Sequence, residues 1–305
     1  MNSLSTLSAD SMYKLDERTR NLLIESAPLM ESWSTNDCAC KDSGGMEEWA
    51  KTKNAQPVER CDWYHGTWQY LRLLNMVAVP PWYEFYQDAL SNVLRRRPKA
   101  EVLISAAADY GMLATLHDAI RAAGADPRIA IYDICHTPLR SCQWYAESHR
   151  LSIECTCDNL LTCDIPPASF DLIVTDEFLT VIKSSDKPLI VKRWRELLKP
   201  SGTLVTTAMI GGPTTPELRQ GYAERARHLL EANAGSFPHH LNGRRDELLK
   251  LFQSFARHHT RHMLADEKEI RRLFDGFGEV SFARTVTPGE CVNPTVSFQI
   301  VATVP

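Results

Sequence analysis

Residues 101–134 read EVLISAAADYGMLATLHDAIRAAGADPRIAIYDI, and their pattern decides the fold. Residues 101–106 (EVLISA) are an apolar run of strand length, and residues 107–111 (AADYG) are turn-forming. Met112, Leu116, Ala119, Ile120 and Ala123 then recur at helical spacing, with Gly124 as a C-cap. Residues 128–134 (RIAIYDI) make a second strand that carries an acid near its end. Strand, helix and strand in so short a stretch form a βαβ unit, whose two strands lie parallel because a helical crossover joins them.

The same alternation continues downstream. A helix is expected after Pro138, through Trp144 to Ser148. A third strand is expected at 151–155 (LSIEC), with Cys157–Asp158–Asn159 beyond it, and a fourth at 169–176 (SFDLIVTD). Residues 188–198 (PLIVKRWRELL) read as a helix closed by Lys199–Pro200–Ser201–Gly202, and 203–209 (TLVTTAM) as a fifth strand. Near-continuous apolar strands mean a sheet covered on both faces, so the fold class is α/β, with ligands bound beyond the carboxyl ends of the strands. After a break at Gly211–Gly212–Pro213, helices are expected at 216–232, 244–258 and 266–275, the last with Asp266 as N-cap. Two alternating runs (Val280, Phe282, Val286, then Val296, Phe298, Ile300, Ala302, Val304) finish the chain as an antiparallel pair joined from Thr287–Pro288–Gly289.

Upstream, residues 1–98 have little strand character and are expected to form a helical cover over a 99–305 core with a helical insertion at about 211–275. The polar stretch 36–60 reads as a loop. Tyr64, Trp68, Leu71, Leu74 and Ala78 share a helical face that Pro80–Pro81 ends. A second helix (Phe85, Tyr86, Ala89, Leu90, Val93, Leu94) closes at Arg95–Arg96–Arg97–Pro98.

The net charge of −4 excludes a global basic field, so no nucleic-acid partner is expected. No apolar run has the length of a membrane span, and the first twenty residues lack the basic start and apolar stretch of a secretory leader; a cytoplasmic protein is expected. Nine cysteines are an odd number, too sparse for a disulfide scaffold. The pairs Cys38/Cys40 and Cys155/Cys157 are C-x-C, which fits zinc spacing poorly, so no metal is expected and the thiols read as reduced, several of them buried. Without a G-x-G-x-x-G, a nicotinamide dinucleotide is disfavoured.

The order of elements from about 100 to 305 resembles the class I S-adenosylmethionine (SAM)-dependent methyltransferase family. The family's first motif falls on Ser105-x-Ala107-x-Asp109-x-Gly111, of which only the last glycine is kept. Its acid at the end of strand two falls on Asp133, 22 residues beyond Gly111. Its polar pair after strand three falls on Asp158–Asn159, its strand-four signature on Phe170–Asp171–Leu172–Ile173 ending at Asp176, and its turn before strand five on Leu198–Lys199–Pro200–Ser201–Gly202. The resemblance implies a Rossmann-like seven-stranded, mostly parallel sheet with helices on both faces and a C-terminal antiparallel strand pair. It also implies SAM as cofactor, held by Ser105, Ala106, Ala107, Gly111, Met112, Asp133, Ile134, Asp158, Asn159 and Asp176.

Elementary chemistry supports those roles. A carboxylate at the tip of strand two accepts from ribose hydroxyls, an acid after strand three accepts from the adenine amine, and small residues at 106–108 let backbone approach the ligand. The aromatic segment 63–86 offers ring faces to a sulfonium. Within it Tyr64 and His65 are the polar candidates for catalysis, joined by Glu177 just past strand four. The expected activity is methyl transfer to a small molecule, in specialised metabolism, with release of S-adenosylhomocysteine. The alternative is cyclisation of SAM to azetidine-2-carboxylate with release of methylthioadenosine, since the altered first motif and the aromatic cover loosely resemble the bacterial azetidine-2-carboxylate synthases. A third reading is a non-catalytic SAM-binding module. The basic cluster Arg257, His258, His259, Arg261 and His262 reads as a solvated helix end.

Overall fold

The central apolar runs pair because they are buried on both faces. β1 (Glu101–Ser105) lies between β2 (Arg128–Asp133) and β4 (Phe170–Val174), parallel to both. β3 (Glu154–Cys157) adds outside β2, and β5 (Leu198–Ile210) outside β4, also in parallel. β7 (Val296–Thr303) runs antiparallel to β5, and β6 (Glu279–Val286) antiparallel to β7 at the edge. The order β3-β2-β1-β4-β5-β7-β6 makes the seven-stranded sheet with its C-terminal antiparallel pair, as the resemblance implies. The computed structural model describes residues 16–36, 61–77, 82–232, 239–286 and 295–305. Of the loop read at 36–60, Asn36 ends a helix; residues 37–60, Ala78, the Pro80–Pro81 stop, the Thr287–Pro288–Gly289 connection and Cys38, Cys40 and Cys291 lie outside these residues.

Successive strand residues enter opposite cores, as the period of two requires. Val102, Ile104, Ile131, Leu172, Val174 and Val205 pack on one face with α1 (Glu17–Asn36), α2 (His65–Leu73), α3 (Tyr83–Arg96), α4 (Gly111–Ala123), α5 (His136–His149), α7 (Pro216–Ala232) and α8 (Arg245–His258). Leu103, Ile173, Leu204 and Ala208 face α6 (Lys187–Leu197) and α9 (Glu267–Phe274). Asp266 caps α9 as expected, its carboxylate accepting from the Glu269 N–H. No helix among the described residues is long and apolar enough to cross a membrane.

Three local readings are corrected. The third strand lies at Glu154–Cys157, not 151–155. Arg150 takes a left-handed conformation at the end of α5 and the Leu151 N–H bonds back to Ala146, so Leu151 and Ile153 are used in the helix exit, packed on the core. The helix expected to run from 64 to 78 stops at Leu73, because Asn75 adopts φ 56° and the Met76 N–H returns to Leu71. The Lys199–Gly202 turn is carried inside a longer β5. Phe170 pairs with Leu198 but Leu172 with Thr203, so the register jumps the turn as a bulge.

The sequence pattern also left α1 unmarked. It starts at Asp16, which accepts from the Thr19 N–H and hydroxyl, and packs Leu23, Ala27 and Met30 inward. Glu31 of α1 holds Arg244 through two oxygens at 2.8 and 3.0 Å and accepts from the Tyr70 hydroxyl at 2.7 Å. α1, α2 and the inserted helices are thereby tied into one layer over the sheet.

Candidate active site

Strand order reverses between β1 and β4, so their carboxyl ends open a crevice, the place where such sheets bind ligands. The residues there are mostly acidic. Asp133 at the tip of β2 accepts from the Ala107 N–H through Oδ2 (3.0 Å) and the Cys135 N–H through Oδ1 (2.8 Å). Ala106 makes this approach feasible: its φ of 66° turns the chain sharply, and its N–H still bonds to Tyr132. A carboxylate has about four acceptor positions, so two remain for hydroxyl donors. Burial pushes the Asp133 carboxyl upward, opposed by the His65 charge and the two backbone bonds.

Asp109 accepts from the Gly111 N–H at 2.8 Å, which starts α4, and its other oxygen pairs with Arg72 of α2. Both members of that ion pair are buried. Met112 packs in the core behind it. Ser105 turns to the other side of the sheet, where its hydroxyl accepts from the Trp194 indole at 2.8 Å. Ile134 is half-buried. Asp158 is exposed, and its carboxylate accepts from the Asn159 N–H; the Asn159 side chain in turn accepts from the Leu161 N–H, a turn directly beyond β3. The Asp158 N–H bonds to the Asp133 carbonyl and extends the β2–β3 ladder.

A second acidic pair stands at the tip of β4. Asp176 Oδ1 accepts from Tyr86 and Thr207, both at 2.9 Å. Glu177 has φ 51°, donates its N–H to Thr207, and receives Ser297 at 3.4 Å on Oε1. Its Oε2 and the hydroxyl of Thr175 are buried without a hydrogen-bond partner among the described residues. Burial, opposed by the Thr207 and Tyr86 bonds, leaves the Asp176 carboxyl pushed up to about 7. Burial and the charge of Asp176 push Glu177 well above the carboxylate range.

Aromatic rings roof the crevice. Tyr64 stacks on Trp68 (5.1 Å) and Phe255 (5.9 Å), and Phe255 stacks on His259 (4.6 Å). α2 and the α8 insertion therefore share one cover. Burial raises the Tyr64 hydroxyl, as do the charges of Asp133, Asp109 and Asp176, which it senses together; Arg261 opposes them. His65 is one turn into the same segment, with a ring nitrogen close to the sulfurs of Cys61 and Cys135. The basic cluster divides. Carbonyls of Ala256, Arg257 and His259 are capped by Arg219, whereas Arg261 lies over the Tyr222 ring, 5.5 Å from its centroid, within electrostatic reach of Glu177. Sequence reasoning missed Arg72, Thr207, Ser297 and Arg261 as site members. Their partners are 30 or more residues away, and no periodic pattern marks them.

No family model and no curated protein matches the sequence. Solved structures with a similar chain path include a SAM-dependent methyltransferase from Methanosarcina mazei (17% identity, 68% of this chain and 93% of that one, TM-score 0.43). A protein from Pyrococcus horikoshii OT3 (14%, 78% and 99%, 0.47) and TehB from Haemophilus influenzae (9%, 85% and 67%, 0.44) are others. At such identities the likeness concerns chain path, not chemistry.

Proposed function

We propose that the chain binds SAM in this crevice and transfers its methyl group to a small-molecule acceptor. The observation that carries the reading is the row of half-buried acids at the strand tips. Asp133 keeps two acceptor positions for a ribose, and Asp176–Glu177 present a carboxylate pair whose ionisation burial opposes, with one oxygen unpartnered among the described residues. A cationic ligand offsets that penalty, because an opposite charge within a few ångströms favours the ionised form. SAM carries both a diol and a sulfonium, and when bound it supplies an electrophilic methyl group. Asp133 holds the sugar, the turn at Ala106–Ala107 allows close approach, and Asp158–Asn159 border the base. Tyr64, Trp68 and Phe255 exclude water and offer ring faces to positive charge, a contact worth roughly 0.5–2 kcal/mol. Glu177, with its raised proton affinity, takes the proton that the acceptor releases.

A second reading, cyclisation of SAM as substrate, draws on the same Glu177. An aromatic roof and a half-buried base of high proton affinity suit an amine that must be neutral to attack. The nitrogen displaces sulfur from the γ-carbon, methylthioadenosine leaves with the electron pair, and Glu177 takes the ammonium proton. Incubation of the pure protein with SAM alone separates the two. Methylthioadenosine formed without an acceptor selects cyclisation, and S-adenosylhomocysteine formed only when an acceptor mixture is added selects methyl transfer. Absence of SAM binding refutes both.

A further inference from the structure

We propose that Cys61, His65 and Cys135 form a binding site for a divalent thiophilic metal ion, with zinc as the ion of matching chemistry. The site is independent of what the crevice binds. Cys61 opens the turn that leads into α2, and the His65 N–H donates to its carbonyl at 2.8 Å. The two side chains are thus one helical turn apart and project on the same side. Cys135 comes from a different element: it is the extended residue that precedes α5, two beyond Asp133. Its sulfur is 3.4 Å from that of Cys61, and one ligand atom from each of the three residues lies within 4.8 Å of the others. Around a tetrahedral zinc with Zn–S of about 2.3 Å, two sulfurs sit roughly 3.8 Å apart. The observed separation therefore needs an opening of only a few tenths of an ångström. Both cysteines are buried and His65 half-buried, which distinguishes the cluster from exposed acidic groups.

Two sulfurs and an imidazole nitrogen are a zinc-type donor set, and three protein ligands are the number found where one position stays open for water or substrate. Binding converts two S–H groups to thiolates and releases two protons to solvent. The ion would join residues 74 apart in sequence, clamping the start of the α2 cover to the β2 tip beside Asp133.

The test uses the full chain, reduced and stripped with a chelator, then titrated with Co²⁺ alone and afterwards with Zn²⁺. The proposal predicts one Co²⁺ per chain, with a thiolate-to-cobalt charge-transfer band and tetrahedral visible bands that Zn²⁺ abolishes. Cys61→Ser and Cys135→Ser should each lower the charge-transfer intensity, one thiolate remaining, and weaken binding by more than the roughly 10–100-fold cost of losing an outer-shell partner. Where either variant fails to fold, alkylation of the wild-type chain followed by mass spectrometry decides: Zn²⁺ must protect Cys61 and Cys135 together. Absence of the cobalt bands, their survival at undiminished intensity in the serine variants, labelling rates unchanged by Zn²⁺, or a Cys61–Cys135 disulfide that forms in place of metal binding would each overturn it.

Discussion

Replacing Arg72 with Met tests how the cover is fastened to the sheet. Arg72 and Asp109 are 2% and 1% exposed, and the pair joins α2 to the loop after β1. Removing one partner strands the other charge away from water, at a cost of about 3–5 kcal/mol. An unfolding entropy of roughly 2.1 cal/mol/K per residue, over 305 residues, converts this to a Tm decrease of about 5–8 °C. Asp109→Asn alone should cost a similar amount by removing the charge that faces the buried Arg72. It keeps the acceptor for the Gly111 N–H, so the Arg72→Met/Asp109→Asn double variant isolates the charge pair. With both charges gone, the double variant should lose less than either single, and the cycle should give a coupling of at least 2 kcal/mol by order of magnitude. Urea unfolding of the four proteins measures all the terms. Single losses below about 1 kcal/mol, or a double loss equal to the sum of the singles, would refute a buried, mutually dependent pair.

Further outcomes are expected elsewhere in the site. Asp176 has a folded pKa of about 7 against an ordinary value of 3.8, so its contribution to stability is complete below the lower value and lost as pH rises through the upper. Asp176→Asn should therefore flatten the decline in stability between those two pH values, measured by urea midpoints across pH. If the crevice takes a cation, affinity for SAM should rise as pH passes 7 in the wild type and lose that rise in Asp176→Asn, read by calorimetry. Tyr86→Phe removes a buried donor to Asp176 and should cost about 1–3 kcal/mol in denaturant unfolding, with the sheet intact by circular dichroism. Lys187 is a buried ammonium that donates to the carbonyls of Leu179, Ile182 and His262. Lys187→Met leaves those acceptors unpaired and should destabilise by at least about 2 kcal/mol, loosening the segment after Glu177 in hydrogen exchange.

The sheet was legible because its central strands are buried on both faces. Val102–Leu103–Ile104 and Leu172–Ile173–Val174 give continuous apolar runs that feed two cores, a pattern that survives any error in packing. β3 was misplaced because Leu151 and Ile153 are apolar for a different reason, closing the exit of α5. Asp133 could be singled out because strand-end acids are rare against apolar runs and the chain order fixes where they project. The same logic placed Asp176 and Glu177. The partners that decide how these acids behave were not legible. Tyr86 and Thr207 reach Asp176 across 90 and 31 residues of sequence, and Arg72 reaches Asp109 across 37, and side chains at ordinary core positions carry no mark of such a contact. Ser105 shows the converse: its place in the first motif points to the ligand side, whereas strand alternation turns its hydroxyl to Trp194. The Cys61–His65–Cys135 convergence was hidden likewise, since C-x-C spacing drew attention to other cysteines.

Calorimetric titration of SAM into the wild-type chain and into Asp133→Asn tests the central claim most directly. The account predicts saturable one-site binding to the wild type. In a folded Asp133→Asn chain it should be weaker by about 1–3 kcal/mol, the loss expected when a charged acceptor of two hydroxyls is neutralised. Equal affinity in the two proteins, or no binding to the wild type, would contradict it.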